Sequence, residues 1–123
     1  MAGTIVVTSS EVGLGAIEYS IAWTSDAAGA VSGIDVPVMA GTLMRAATVP
    51  AAAGDAPTDN YDVVVTDAYG VDLLAAAGAN RSATVSQGLS PGVAMVRGNI
   101  QPTISNAGNA KKGTLSLVVR PWW

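Results

Sequence analysis

AIEYSIAWT, residues 16–24, decides the fold. Ile17, Tyr19, Ile21 and Trp23 fall on one side of an extended chain. Glu18, Ser20 and Ala22 fall on the other. A period of two over nine residues is the mark of a strand with one buried face. The same alternation recurs outward from this stretch. GTLSLVVR (113–120) sets Leu115, Leu117 and Val119 against Thr114, Ser116 and Arg120. IQPTIS (100–105) opposes Ile100 and Ile104 to Gln101, Thr103 and Ser105. YDVVVT (61–66) aligns Tyr61, Val63 and Val65. Residues 4–9, 33–39, 42–49, 82–87 and 93–98 supply further strand candidates.

Between these runs lie SDAAGA, PAAAGDAPT, GLSPG and NAGNAKKG, rich in the residues that turns require. Many short strands with turns at short intervals predict an all-β chain folded as an antiparallel β-sandwich. A jelly roll and other sandwich topologies stay open. Pro37 and Pro102 donate no ladder hydrogen bond, so both belong at edges or bulges. One segment departs from the pattern. GVDLLAAAGAN (70–80) holds good helix formers between Asp72 and Gly78, and a short helix is expected near 72–78. The 123 residues fit one domain, 1–123, with 50–58 as a surface loop or arm and 120–123 as a C-terminal contact tail.

Composition excludes much chemistry. There is no Cys and no His, which removes thiolate metal sites, disulfides, and the Ser-His and Cys-His nucleophile systems. The seven Asp and two Glu sit mostly in or beside turns, where Asp closes the turn through its own side chain. DAPTDNYD (55–62) and TDAYGVD (66–72) do not match EF-hand spacing. GLGAIE (13–18) leads into a strand, so it is no dinucleotide loop. No catalytic, cofactor or metal residue is therefore expected, and the chain reads as a binding protein rather than an enzyme. A net charge of −3 with scattered Lys and Arg argues against nucleic acid. No run approaches the roughly 18 apolar residues of a spanning helix, so no membrane is expected. The first residues lack the basic start and apolar core of a secretory signal.

Only 12% of residues are charged, against about a quarter in an average domain. Such a surface suits packing against copies or partners, and it also arises as a compositional habit of GC-rich genomes. Arg45 and Arg97 interrupt apolar strand patterns. Each either lies on a solvated face or meets a neighbouring subunit. Met39 and Met44 flank a bend at Ala40-Gly41-Thr42, and Met suits both irregular cores and adaptable surfaces. RPWW places Trp122 and Trp123 after Arg120 and Pro121, with two of the three tryptophans at the chain end. The partner-contact candidates are thus Trp122, Trp123, Arg120, Arg45, Arg97, Met39 and Met44.

Two stretches, YDVVVTDAYGVDLLAAAGANRSAT (61–84) and ISNAGNAKKGTLSLVV (104–119), are carried by turn and hairpin signatures. Here the chain resembles small β-rich structural proteins of tailed bacteriophages. The resemblance implies a virion location and a capsid cement or decoration role, with the major capsid protein or other virion proteins as partners and a homo-oligomer as assembly. Neck, tail or fibre modules, or a carbohydrate-contacting β-sandwich, are the alternative. The terminal Pro-Trp-Trp departs from the family pattern, which ends at the last strand.

The tail either plugs its own sandwich or docks on a neighbour. Burying each ring contributes about 2–3 kcal/mol. Deleting Trp122 and Trp123 is expected to leave a folded domain that no longer attaches to its partner, measured by co-sedimentation beside a thermal melt. Unfolding of the truncated domain would favour the plug.

Overall fold

A computed structural model describes residues 3–89, 94–96 and 98–121. They form antiparallel sheets, and no helix occurs among the described residues. The strands are β1 (Thr4–Gly13), β2 (Ala16–Thr24), β3 (Gly41–Pro50), β4 (Asp62–Thr66), β5 (Gln87–Leu89), β6 (Ala94–Val96), β7 (Gln101–Ser105) and β8 (Lys112–Pro121). The larger sheet runs β1-β2-β8-β3-β5, and β6 also pairs with β3. The smaller sheet is the pair β4-β7.

The opening stretch behaves as its alternation dictates. Tyr19, Ile21 and Trp23 of β2 are buried, and register sets them beside Leu117, Leu115 and Gly113 of β8. Leu43, Ala46 and Thr48 of β3 continue the same face on the other side of β8. Below it lie Tyr61, Val63 and Val65 with Ile100 and Ile104 of the smaller sheet's segments. All these apolar side chains belong to one core cluster. The Trp23 and Tyr61 rings meet across the layers with centroids 5.5 Å apart and planes tilted by 52°. Trp23 needs room beside it on β8. Residue 113 supplies that room, because a Cβ there would stand 2.5 Å from the indole Cζ2.

Two expectations are corrected. Residues 72–78 form successive turns, not a helix. The Asp72 carboxylate accepts the N–H groups of Leu74, Ala76 and Val65, so the segment's amides turn to a side chain instead of the i−4 carbonyls. Ala75 and Ala76 adopt φ of 48° and 67°, which no right-handed helix accommodates. Leu73 and Gly78 then bond the backbone of Val65 and Val63, and the segment flanks β4 like a coiled edge. Gly78 is required there, since a Cβ would run into the Val63 carbonyl.

Residues 33–39 are likewise no strand. The 31–36 backbone meets β7's flank through isolated bridges at Val31↔Ile104 and Val36↔Ile100, and the Gln101 side chain donates to Asp35. Between these bridges Gly33 turns away with φ 72°, and Pro102, which has no N–H to give, lies opposite the gap. Of the 82–87 candidate only Gln87 lies in a strand, at the start of β5, and of the 93–98 candidate residues 94–96 form β6, with 93 and 97 outside the described residues. The 50–58 loop is tied down at its far end, where Asp55 O accepts the Lys112 N–H and Thr58 N–H donates to Ala107 O.

Gly113→Ala is expected to cost about 1–3 kcal/mol by forcing Trp23 off its place, read as a lower urea midpoint. An unchanged midpoint would mean that the indole has another resting position.

Candidate functional site

The outer face of the larger sheet carries small and polar side chains. Thr4, Val6, Thr8 and Ser10 of β1 stand beside Thr24, Ala22, Ser20 and Glu18 of β2. Glu18 accepts a hydrogen bond from Ser116 Oγ of β8 at 2.7 Å. An open groove of about 360 Å³ lies at the end where Thr4, Val6, Ala22, Val49, Lys112 and Thr114 meet.

The other end of the same face gathers several sequence candidates. Register places Arg120 opposite Thr42 and Arg45 opposite Val118, so the two arginines are diagonal neighbours on β8 and β3. Both are exposed. The register between β3 and β8 shifts between Leu43 and Arg45, and Met44 sits at that irregularity, 57% exposed. Met95 of β6, equally exposed, lies across from Thr42. The result is a patch of two guanidinium groups and two thioethers. Met39 lies in the coil before β3. Its N–H donates to the Tyr19 hydroxyl at 2.8 Å, on the inner side of the sheet. Arg97, Trp122 and Trp123 fall outside the described residues.

The N-terminal hairpin is the surface that sequence reasoning missed. All of β1 except Ile5 is exposed. Val6, Val7 and Val12 keep 65%, 39% and 52% of their surface in solvent, and Leu14 keeps 93%. Leu14 tops the turn with φ 52°, between Gly13 and Gly15. A leucine in the left-handed region costs roughly 1–2 kcal/mol, and here it gains no burial in return. The readable signal was TIVVTSS (4–10), a β-branched run with neither charge nor proline.

One polar pair is buried in the core. The Thr48 and Tyr61 hydroxyls have no well-formed hydrogen-bond partner. They lie near enough for Thr48 to act on the phenol, yet their alignment falls short of a good bond. Burial holds the Tyr61 phenol above its ordinary value of 10.0, while Thr48 and the Arg81 charge pull it partly back. No group of three Asp or Glu among the described residues is placed to hold a metal. Comparison with protein families, curated proteins and solved structures returns no match.

An unpaired buried hydroxyl costs about 1–3 kcal/mol. The double variant Thr48→Val, Tyr61→Phe is therefore expected to be at least as stable as the natural chain. A raised folded-state value means that the Tyr61 contribution is whole below pH 10 and is lost as pH climbs toward the folded value. Alkaline melts of Tyr61→Phe should thus fall less steeply than those of the parent. A variant pair less stable by more than about 1 kcal/mol would show that the hydroxyls bond each other.

Proposed function

We propose that the two sheets form an antiparallel β-sandwich, and that this sandwich is a structural subunit of a tailed-bacteriophage virion. Its role is that of a capsid cement or decoration protein, binding the major capsid protein and its own copies. The observation that carries this reading is the surface. Val6, Val7, Val12, Leu14, Met44 and Met95 stand exposed on a chain with only 12% charged residues. Isolated exposed apolar side chains are ordinary, but runs of them along one hairpin and one sheet end mark contact sites.

The mechanism is mechanical. A fixed core holds β1 and the Arg45–Arg120 patch at a set spacing across the larger sheet. Arg45 and Arg120 meet acidic groups on the shell, with Met44 and Met95 filling the uneven surface between them. Each contact is modest, and many copies on one shell multiply it by avidity.

A second reading, a carbohydrate-contacting module, draws on Tyr69. This side chain is 71% exposed, on a turn whose Tyr69 and Val71 amides donate to Asp67. Sugar sites favour exposed aromatic rings beside fixed polar groups.

Copies of the chain spread over the whole shell in a density map of the particle would support the cement role. A few copies at one vertex would favour a neck, tail or fibre module instead. The charge reversals Arg45→Glu and Arg120→Glu should weaken attachment to shells at least about tenfold. Melting should stay unchanged, because both side chains are exposed. Attachment at natural strength by both variants would remove this patch from the contact.

A further inference from the structure

A sheet edge leaves a row of N–H and C=O groups without partners, and folded chains guard their edges against unwanted pairing. This fold guards its edges unevenly. In the smaller sheet, β7 is flanked by the 31–36 segment, and β4 by the 72–81 segment. In the larger sheet, β3 is flanked by β5 and β6, which are three residues each. Those two are also out of step. Ala46 faces Leu89, so a continuous ladder would set Leu43 opposite residue 92, yet Leu43 faces Ala94. The edge they present is short and broken.

Among the described residues β1 has no such guard. It is ten residues long and pairs evenly with β2 from Thr4 to Glu11, the register slipping only between Glu11 and Gly13. Residues 4–10 contain no Lys, no Pro and no charge of any kind. The smaller sheet leaves its inner face open as well, so Val7, which faces the same way as the buried Ile21, is 39% exposed.

We propose that β1 is an assembly edge, and that its free side pairs antiparallel with β1 of a second copy to join two larger sheets into one. The composition of β1 selects this occupant. A two-fold axis at Val7 sets Val7 against Val7, Val6 against Thr8, Ile5 against Ser9 and Thr4 against Ser10. Every pair is uncharged and contains a β-branched residue, which suits cross-strand packing. The one charged residue of β1, Glu11, then falls beyond the paired stretch. The two Glu11 side chains stand eight residues apart along the ladder, about 27 Å, where they scarcely repel.

Two features set the character of the contact. Seven paired residues span only about 24 Å, so the buried area lies at the low end for specific interfaces. The association is therefore weak in free solution and strengthened where copies are crowded on one surface. Self-pairing of a single edge also closes at two copies and does not propagate. The inference rests on the reading of a subunit that binds its own copies, and it concerns the copy–copy contact alone.

Sedimentation velocity of the full chain over rising concentration tests it. A reversible dimer with no larger species is expected. Val7→Lys sets two ammonium groups together on the axis and should weaken the dimer at least about tenfold, with its melt unchanged. The control Val64→Lys, on β4, should dimerise normally. The chain has no Cys, so Val7→Cys should give a covalent dimer on mild oxidation, while Val64→Cys should not. A monomer at every concentration with no cross-link at position 7 would overturn the pairing. So would a dimer untouched by Val7→Lys, or an open-ended series of oligomers. Particle attachment is scored separately. A monomeric chain that still coats shells sinks the pairing alone, and a β1 dimer that ignores shells sinks the capsid reading alone.

Discussion

The contact between Trp23 and Tyr61 is the constraint on which the rest of the structure depends. A two-stranded sheet is marginal in water, and β4-β7 is such a sheet. It persists because Tyr61, Val63, Val65 and Ile104 have a larger apolar face to lie on. That face exists only where β2, β8 and β3 align their inward residues, and Trp23 is its largest member. The indole reaches Tyr61 because position 113 carries no side chain. The missing Cβ on β8 thus governs how closely the two layers approach. Around this contact the coil segments 31–36 and 72–81 are recruited as flanks of the smaller sheet, through backbone bonds to its strands and their flanking residues.

The same arrangement separates stability from surface. Core side chains point inward from both layers, and the outer face of the larger sheet is left with Thr, Ser, Ala and a few long side chains. β1 and the hairpin tip lie mostly beyond the reach of the smaller sheet. Their valines and tip leucine contribute little to the core, which leaves them available to partners. Register sets the Arg45–Arg120 patch at the same end of the sheet as the hairpin turn, on strands two and three places across from β1.

Much of this was legible in the residues. The alternation in 16–24, 61–66, 100–105 and 113–120 named the inward face of β2, β4, β7 and β8 correctly, because a period of two leaves no freedom once one face is apolar. The segment 72–78 misled, because propensity counts Leu and Ala as helix formers without regard to where their amides find partners. Here a single carboxylate, Asp72, gathers three amides and fixes the turns. The 33–39 stretch misled in a different way. Its apolar alternation was real, but Pro37 and the turn at Gly33 reduced the pairing to isolated bridges. For the surface, strand parity set Arg120 outward, whereas its closeness to Arg45 depends on a long-range register no local pattern encodes. The exposure of β1 was hidden for a related reason. A valine-rich strand reads as buried unless the extent of the opposite layer is known.

Native-state hydrogen exchange followed residue by residue tests the central claim most directly. If one core joins the two layers, amides of β2, β3, β8, β4 and β7 open together, with a common free energy and a common response to denaturant. The hairpin tip around Leu14 should exchange far faster. Protection of β4 and β7 that is lost well before that of β2 and β8, with Trp23 still buried, would contradict the account, because the smaller sheet would then not depend on the contact between Trp23 and Tyr61.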